Sequence, residues 1–437
     1  MKRRRALGFV AAMALGLVSG DAAAQNKPPR RPAAAAGAGG GIAAAETAPL
    51  VYTGATIHTG TGEVITDGTV IVARGKIQQV GKGLAAPGGA TVISARGLVI
   101  TPGLVDALTS VGLVEVALED ATRDDQQGGS DLLRAGFRAA DGYNPASTVI
   151  GVTRAEGLTS VGVVPRGGLI AGQSAWADLD GDTAAEALAA APLALHVHLG
   201  AGDGGGHGTA ILRVREAFDD ARVFQKNRAG WERNQTRRFA PGRLDLEALA
   251  GALDGKVPVV FHVDRAADIL SALALAREYK LRPVIAGGAE AWKVAREIAA
   301  TRVPVIVFPL EQPSTFDSLG AREDNAARLF AAGVAVGIST GDTHNARKLR
   351  QVAGNAVRSG LPYDAAIAAM TRVPAEALGM GARYGTLAAG KVANLVVWSA
   401  DPLEIGTRVV DVVIHGRKVS LRNRQTMLLE KYRAIAR

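Results

Sequence analysis

An alternation through the middle of the chain constrains its fold more than any other feature. Short apolar runs at residues 99–105, 159–164, 193–199, 257–263, 283–286, 303–309 and 334–339 are separated by stretches with helical periodicity. The clearest helical stretches are 266–279, 289–300, 325–332 and 363–371. A strand apolar at every position is covered on both faces, and parallel neighbours need a long crossover, usually a helix. The pattern therefore predicts parallel βα units and an α/β fold. Seven such runs, with an eighth strand expected in the Gly-rich sequence between 169 and 212, suit a (β/α)8 TIM-type barrel. A chain of 437 residues, 48% of them hydrophobic, is long enough to build that core and a small attached domain.

The ends of the chain read differently. Residues 50–97 carry short alternating strands between Gly and Asp turns, as in Gly54-Ala-Thr-Ile-His-Thr-Gly60 and Asp67-Gly-Thr-Val-Ile-Val-Ala73. Matching strands recur in 381–437, at Leu395-Val-Val-Trp398 and 409–419. The two segments are expected to pair with each other beside the βα units at 98–380. Ahead of them, Lys2-Arg3-Arg4-Arg5, the apolar stretch 6–18 and Ala22-Ala23-Ala24 read as a secretory signal peptide over 1–24. The apolar run is short of the roughly 20 residues that span a bilayer. Residues 25–49, rich in Ala, Gly and Pro, read as a flexible tether. The expectation is a periplasmic or secreted bacterial protein without a stable membrane span once the signal is removed. With no cysteine, disulfides and thiolate metal sites are excluded. Residues 1–46 hold seven Lys or Arg against Asp21 and Glu46, so the rest of the chain keeps only +4 of the formal +9. No nucleic-acid motif accompanies that mild charge, and nucleic acid is not an expected partner.

Residues 98–110 read Leu-Val-Ile-Thr-Pro-Gly-Leu-Val-Asp-Ala-Leu-Thr-Ser, and 385–395 read Gly-Thr-Leu-Ala-Ala-Gly-Lys-Val-Ala-Asn-Leu. Together they resemble the amidohydrolase superfamily, in its imidazolonepropionase-like and dihydroorotase-like breadth. There Pro-Gly-hydrophobic-hydrophobic-Asp-x-His-x-His delivers two metal-binding histidines from the first barrel strand. Pro102, Gly103 and Asp106 are in register, but Leu108 and Ser110 occupy the two histidine positions, and Asn394 replaces an aspartate of the second motif. The resemblance covers nearly all of the chain after the tether. It implies a barrel with a flanking sandwich, and hydrolysis of non-peptide carbon–nitrogen bonds in a small molecule. It also implies a divalent metal, zinc, that acidifies a bound water, with an aspartate of strand eight as general base. Barrels of this family commonly associate as dimers, so a homodimer or a heterodimer with a paralogue is expected.

Checked position by position, that metal centre is depleted. Leucine has no lone pair, and a neutral hydroxyl is a poor zinc ligand beside imidazole or carboxylate. His262, ending the run Val259-Val-Phe-His, matches the strand-five histidine; metal ligation and a plain hydrogen bond in a polar mouth both stand open. Strand six ends in Gly287 and Gly288 where the family has histidine. Asp342 falls at or one residue beyond the strand-eight aspartate, as a catalytic base or as a cap in Ser-Thr-Gly-Asp-Thr-His-Asn. His344 reads as a loop residue. His196 and His198 are two apart on a strand and leave by one face. With Asp203 and His207 in the following Gly-rich loop, they are candidates for a relocated metal site, packing or solvent-facing histidines being the alternative. Arg166, after strand two, is a candidate for binding an anionic substrate group, or belongs to a rim hairpin. Residues 222–243 hold seven Lys or Arg against Glu232, interleaved with Phe224, Trp231 and Phe239; this is a ligand- or partner-holding strip, or a solvated helix face. Two functions follow: an exported hydrolase with a reduced or relocated centre, or a non-catalytic relative that binds a ligand or pairs with an active paralogue.

Overall fold

The computed structural model describes residues 48–126, 131–200, 205–309 and 315–435. The expected signal peptide and residues 25–47 of the tether lie outside them. Five strands come first, β1 (Leu50–His58), β2 (Val64–Ala73), β3 (Lys76–Lys82), β4 (Thr91–Ser94) and β5 (Val99–Pro102). β6 (Leu104–Thr109) and β7 (Leu158–Val163) pair in parallel and are buried at every residue, as strands covered on both faces must be. β8 (Ile170–Gln173), β9 (Ala175–Asp178) and β10 (Leu188–Ala190) follow. β11 (Leu195–His198), β12 (Val259–Val263), β13 (Pro283–Gly287), β14 (Val305–Val307) and β15 (Val336–Ile338) then pair in succession, all parallel. Last, β16 (Leu395–Trp398), β17 (Val409–Ile414) and β18 (Arg417–Lys418) complete the first sheet, in the order β18-β17-β16-β5-β1-β2-β3 with β4 on β1.

The helices between the parallel strands carry the apolar stripes the sequence promised. The helix Ala266–Tyr279 buries Ile269, Ala272, Leu273 and Ala276 along one face and stops at Lys280, which takes a left-handed conformation. The helix expected over 289–300 begins instead as a 3-10 turn, Ala291–Val294, and becomes α-helical over Ala295–Thr301.

Two strand expectations need correction. The run 99–105 is not one strand: β5 belongs to the first sheet and β6 to the second. Gly103 makes the break, its amide donating to the Asn394 carbonyl at 2.9 Å, and a Cβ there would collide with Thr159. The strand expected between 169 and 212 exists but runs antiparallel. β8 pairs antiparallel with β11 and β9 antiparallel with β7. The stretch 170–178 thereby joins the four-stranded sheet β10-β9-β7-β6 to the six-stranded sheet β15-β14-β13-β12-β11-β8.

The opposite edges of these sheets meet through a buried carboxylate. Asp106 on β6 accepts hydrogen bonds from Ser339 Oγ, from the Thr340 amide at 3.1 Å and from Thr340 Oγ1 at 2.5 Å, just past β15. Burial pushes the Asp106 pKa up, and these donors oppose the shift. A second buried carboxylate fastens the first sheet to β7 and β9. Asp178 accepts from Ser160 Oγ, Tyr384 Oη, Asn394 Nδ2 and His415 Nε2, at 2.6, 2.7, 3.1 and 2.7 Å. Asn394, the residue that departs from the family motif, is thus a donor to Asp178 and an acceptor for the His415 amide.

Candidate functional site

β11 and β12 lie in register with His198 opposite His262, and strand alternation puts His196 on the same face as His198. The three imidazoles converge. His198 and His262 stack with ring centroids 4.2 Å apart, while His196 Nδ1 and His262 Nε2 face each other at 2.9 Å. His196 is fully buried, and the Nε2 atoms of His196 and His198 have no hydrogen-bond partner among the described residues. Burial holds the His196 pKa down to about 3 and the His198 pKa to about 4, and carries His262 well below its ordinary value. The Arg166 guanidinium adds to all three shifts, and the neighbouring rings to those of His196 and His262. All three rings are therefore neutral at pH 7.

Arg166 reaches this cluster from the turn after β7. Its Nε donates to Ser110 Oγ at 3.2 Å, its Nη2 donates to the Gly341 carbonyl, and its Nε lies 3.8 Å from Asp125 Oδ2. Ser110 in turn donates to Asp125 at 3.2 Å. The guanidinium is thus pinned between the end of β6 and the residues just past β15. Arg166, His198 and His262 line one cavity of about 290 Å³, together with Asp264, Asp317, Phe308 and Asn325. Asp264 accepts from the Ala289 amide, and its pKa is raised by burial and by the charges of Asp317 and Glu290.

The positions at which the family carries other ligands are filled by something else. Leu108 is 1% exposed and packs in an apolar layer with Val105, Val260, Val284 and Ile306. Ser110 is committed to Asp125 and Arg166. Gly287 and Gly288 have φ of +87° and +64°, and a Cβ on Gly287 would stand 2.7 Å from Asp264 Oδ1. A histidine at either glycine would be strained. Asp342 accepts from the His344 amide at 2.9 Å and Asn345 Nδ2 at 2.6 Å, so its carboxylate caps its own turn. Burial raises its pKa, but the donors from Asn345, His344 and Thr343 outweigh that and leave it below the usual carboxylate value. Among the described residues Asp342 does not line the cavity. His344 is exposed.

His207 does not join the imidazole cluster, contrary to the relocated-site expectation. It opens the helix His207–Lys226, with Nδ1 2.9 Å from Asp268 Oδ2 and Nε2 3.4 Å from Asp317 Oδ1. Asp203 lies outside the described residues. The basic strip 222–243 is tied into ion pairs, Arg228 with Glu232 and Glu247, Arg237 with Asp220 and Arg243 with Glu247. Its Phe224 and Phe239 rings are buried, and Trp231 is half-buried against the same core. Sequence reasoning missed Asp125, Asp264 and Asp317. Asp264, two residues beyond His262 on the same strand face, was within reach of the alternation argument; Asp125 and Asp317 sit in irregular chain and carried no signal.

A divalent metal of the kind the resemblance implies does not fit this set in the family's arrangement, because its donor positions hold Leu108, Ser110 and glycine. Among the described residues no group of three or more His, Cys, Asp or Glu side chains is arranged to hold a metal ion. The donors that remain are the three neutral imidazoles, two of them with an unpartnered Nε2.

Known proteins match this chain along most of its length. An amidohydrolase family model matches residues 334–420, which hold β15, the Asp342 turn and the returning strands β16 to β18. The amidohydrolase tasK of Hapsidospora irregularis is 27% identical over 388 residues, 80% of this chain and 39% of tasK. The imidazolonepropionase of Chromobacterium violaceum is 42% identical over 87 residues, 19% of this chain and 21% of that enzyme. The chain thus spans well under half the length of either curated relative. Among solved structures, an amidohydrolase from Thermotoga maritima superposes with a TM-score of 0.78 at 26% identity, covering 85% of this chain and all of that one. Molinate hydrolase, with a TM-score of 0.53 at 16% identity over 86% of this chain and 95% of that one, shares the fold alone.

Proposed function

From a chain that belongs to the amidohydrolase superfamily of hydrolases, we propose a protein that binds a small molecule of the kind those enzymes hydrolyse, one with a non-peptide carbon–nitrogen bond. It holds that molecule in the cavity of Arg166, His198 and His262 without the superfamily's metal pair. The carrying observation lies at the end of β6, where Leu108 is sealed in an apolar layer and Ser110 is bonded to Asp125 and Arg166. Metal-assisted hydrolysis needs protein ligands and an open coordination position, and these two residues supply neither. On this reading the chain is a pseudoenzyme that acts alone, as a homodimer, or as the partner of an active paralogue. The test is turnover of a panel of amides and lactams by the mature protein with zinc offered. The expected result is no zinc-dependent hydrolysis; robust zinc-dependent turnover that disappears in His262→Ala contradicts it.

One observation favours a second reading, a hydrolase with a relocated centre. The buried Nε2 atoms of His196 and His198 have no partner among the described residues. On that reading His196, His198 and His262 hold the metal, which supplies Lewis acidity and an acidified water. It requires one ring to turn, because His196 Nδ1 and His262 Nε2 already face each other at 2.9 Å.

The same proposal takes the two central sheets as the wall of a (β/α)8 barrel, a reading supported by the stretch 170–178 on one side and Asp106 on the other. It takes residues 1–24 as a signal peptide and the mature chain as periplasmic or secreted. Fractionation of cells expressing the full chain tests the export: recovery of uncleaved protein in the cytoplasm contradicts it.

A further inference from the structure

The anchors of Arg166 leave its charge only partly compensated. Among the described residues Asp125 is its only carboxylate partner, and that carboxylate also faces Arg123, whose Nε lies 3.4 Å from Oδ1. One buried carboxylate therefore stands against two guanidinium groups. The two hydrogen bonds that fix Arg166, to Ser110 Oγ and to the Gly341 carbonyl, go to neutral acceptors. Its remaining nitrogen, Nη1, has no partner among the described residues. The side chain is 40% exposed, so its head is within reach of a ligand in the cavity.

We infer that Arg166 holds the carboxylate of a small acidic ligand in this cavity, the other guanidinium on its wall, Arg322, being paired with Asp324 at 2.7 and 3.0 Å. The inference rests on the metal-free reading above. A guanidinium presents its donors as a planar fork that matches a carboxylate, and one already anchored loses little freedom on binding. The His198 imidazole lines the same cavity. Asp264 and Asp317 line the same cavity from the chain beyond β12 and β14. Glu323 is a third carboxylate on that wall, and Arg322 beside it is paired with Asp324, so Arg166 and the acidic residues sort a ligand by polarity. The acid group goes to the arginine, and an N–H-bearing part goes to the aspartates.

The experiment is a calorimetric titration of chelator-treated protein with N-benzoylglycine and with its neutral amide, N-benzoylglycinamide. The two probes differ only in the carboxylate. Wild-type protein is expected to bind the acid at least about tenfold more tightly than the amide, the range of one charge-assisted hydrogen bond. In Arg166→Gln that preference falls to within about twofold. Arg166→Lys keeps the charge but not the fork, and is expected to fall between the two. It also keeps the inference testable if Arg166→Gln melts early in a thermal scan. Equal binding of the two probes by wild type, no binding of the acid, or a preference that survives in both variants overturns the inference. Since chelated protein is used throughout, zinc-dependent turnover in a separate sample sinks the metal-free reading without touching this result.

Discussion

His198 and His262 lie face to face at the ends of paired strands, their ring planes within 6° of parallel and their centroids 4.2 Å apart. Two imidazoles stacked this closely, with His196 against one of them and a guanidinium alongside, cannot all carry charge. The cavity is therefore lined by the uncharged imidazoles of His198 and His262 beside the fixed Arg166 guanidinium. That arrangement sets the behaviour of the protein as pH falls.

In the folded chain the pKa values of His196 and His198 lie at about 3 and about 4, against 6.5 for a free imidazole. As pH drops, the unfolded chain takes up protons first. Stability is full above about pH 6.5 and is lost as pH falls through the window from 6.5 towards 4 and 3, by up to ~1.4 kcal/mol per pH unit for each ring. Denaturant melts of wild type and of His198→Asn at pH 7 and pH 5 check this. The variant is expected to lose less stability over that interval, and equal losses contradict the account.

Leu108 and Gly287 are structural commitments at positions where relatives place ligands. Leu108→Ala removes a fully enclosed side chain and is expected to cost about 2–5 kcal/mol. Gly287→Ala places a Cβ against Asp264 on a left-handed backbone and is expected to cost about 1–3 kcal/mol. Urea unfolding measures both. Neutral outcomes would show that these positions are free to take back a ligand.

Much of this was legible in the sequence, for identifiable reasons. Pro102, Gly103 and Asp106 kept the register of the first strand, so the depleted positions at Leu108 and Ser110 stood out. Continuous apolar runs marked β11 to β15 because parallel strands are buried on both faces. The reversal of 170–178 was hidden, because side-chain alternation has the same period in either strand direction. The Arg166 anchor was hidden by distance: Gly341 lies 175 residues away along the chain, and no local pattern encodes that bond. His196 and His198 were recognisable as a same-face pair, but their convergence with His262, 66 residues beyond His196, required the register of β11 against β12.

Asp106 bridges β6 to the chain just past β15 and receives three donors in a site without water access. Asp106→Asn turns an acceptor into a donor there and is expected to cost about 2 kcal/mol or more. Ser339→Ala removes one donor and is expected to cost about 1 kcal/mol. Thermal melts order the two variants, and the reverse order contradicts the bridging role.

The central claim, that this cavity assembles no metal centre, is tested most directly by metal content. Mature protein purified without chelators or a metal-affinity tag, then offered zinc and dialysed, is measured by elemental mass spectrometry. The account predicts zinc below about a tenth of an equivalent, as expected where no ligand set is assembled. Zinc near one equivalent, lost in His196→Asn or His262→Asn, would contradict it and place a working metal centre on the three imidazoles.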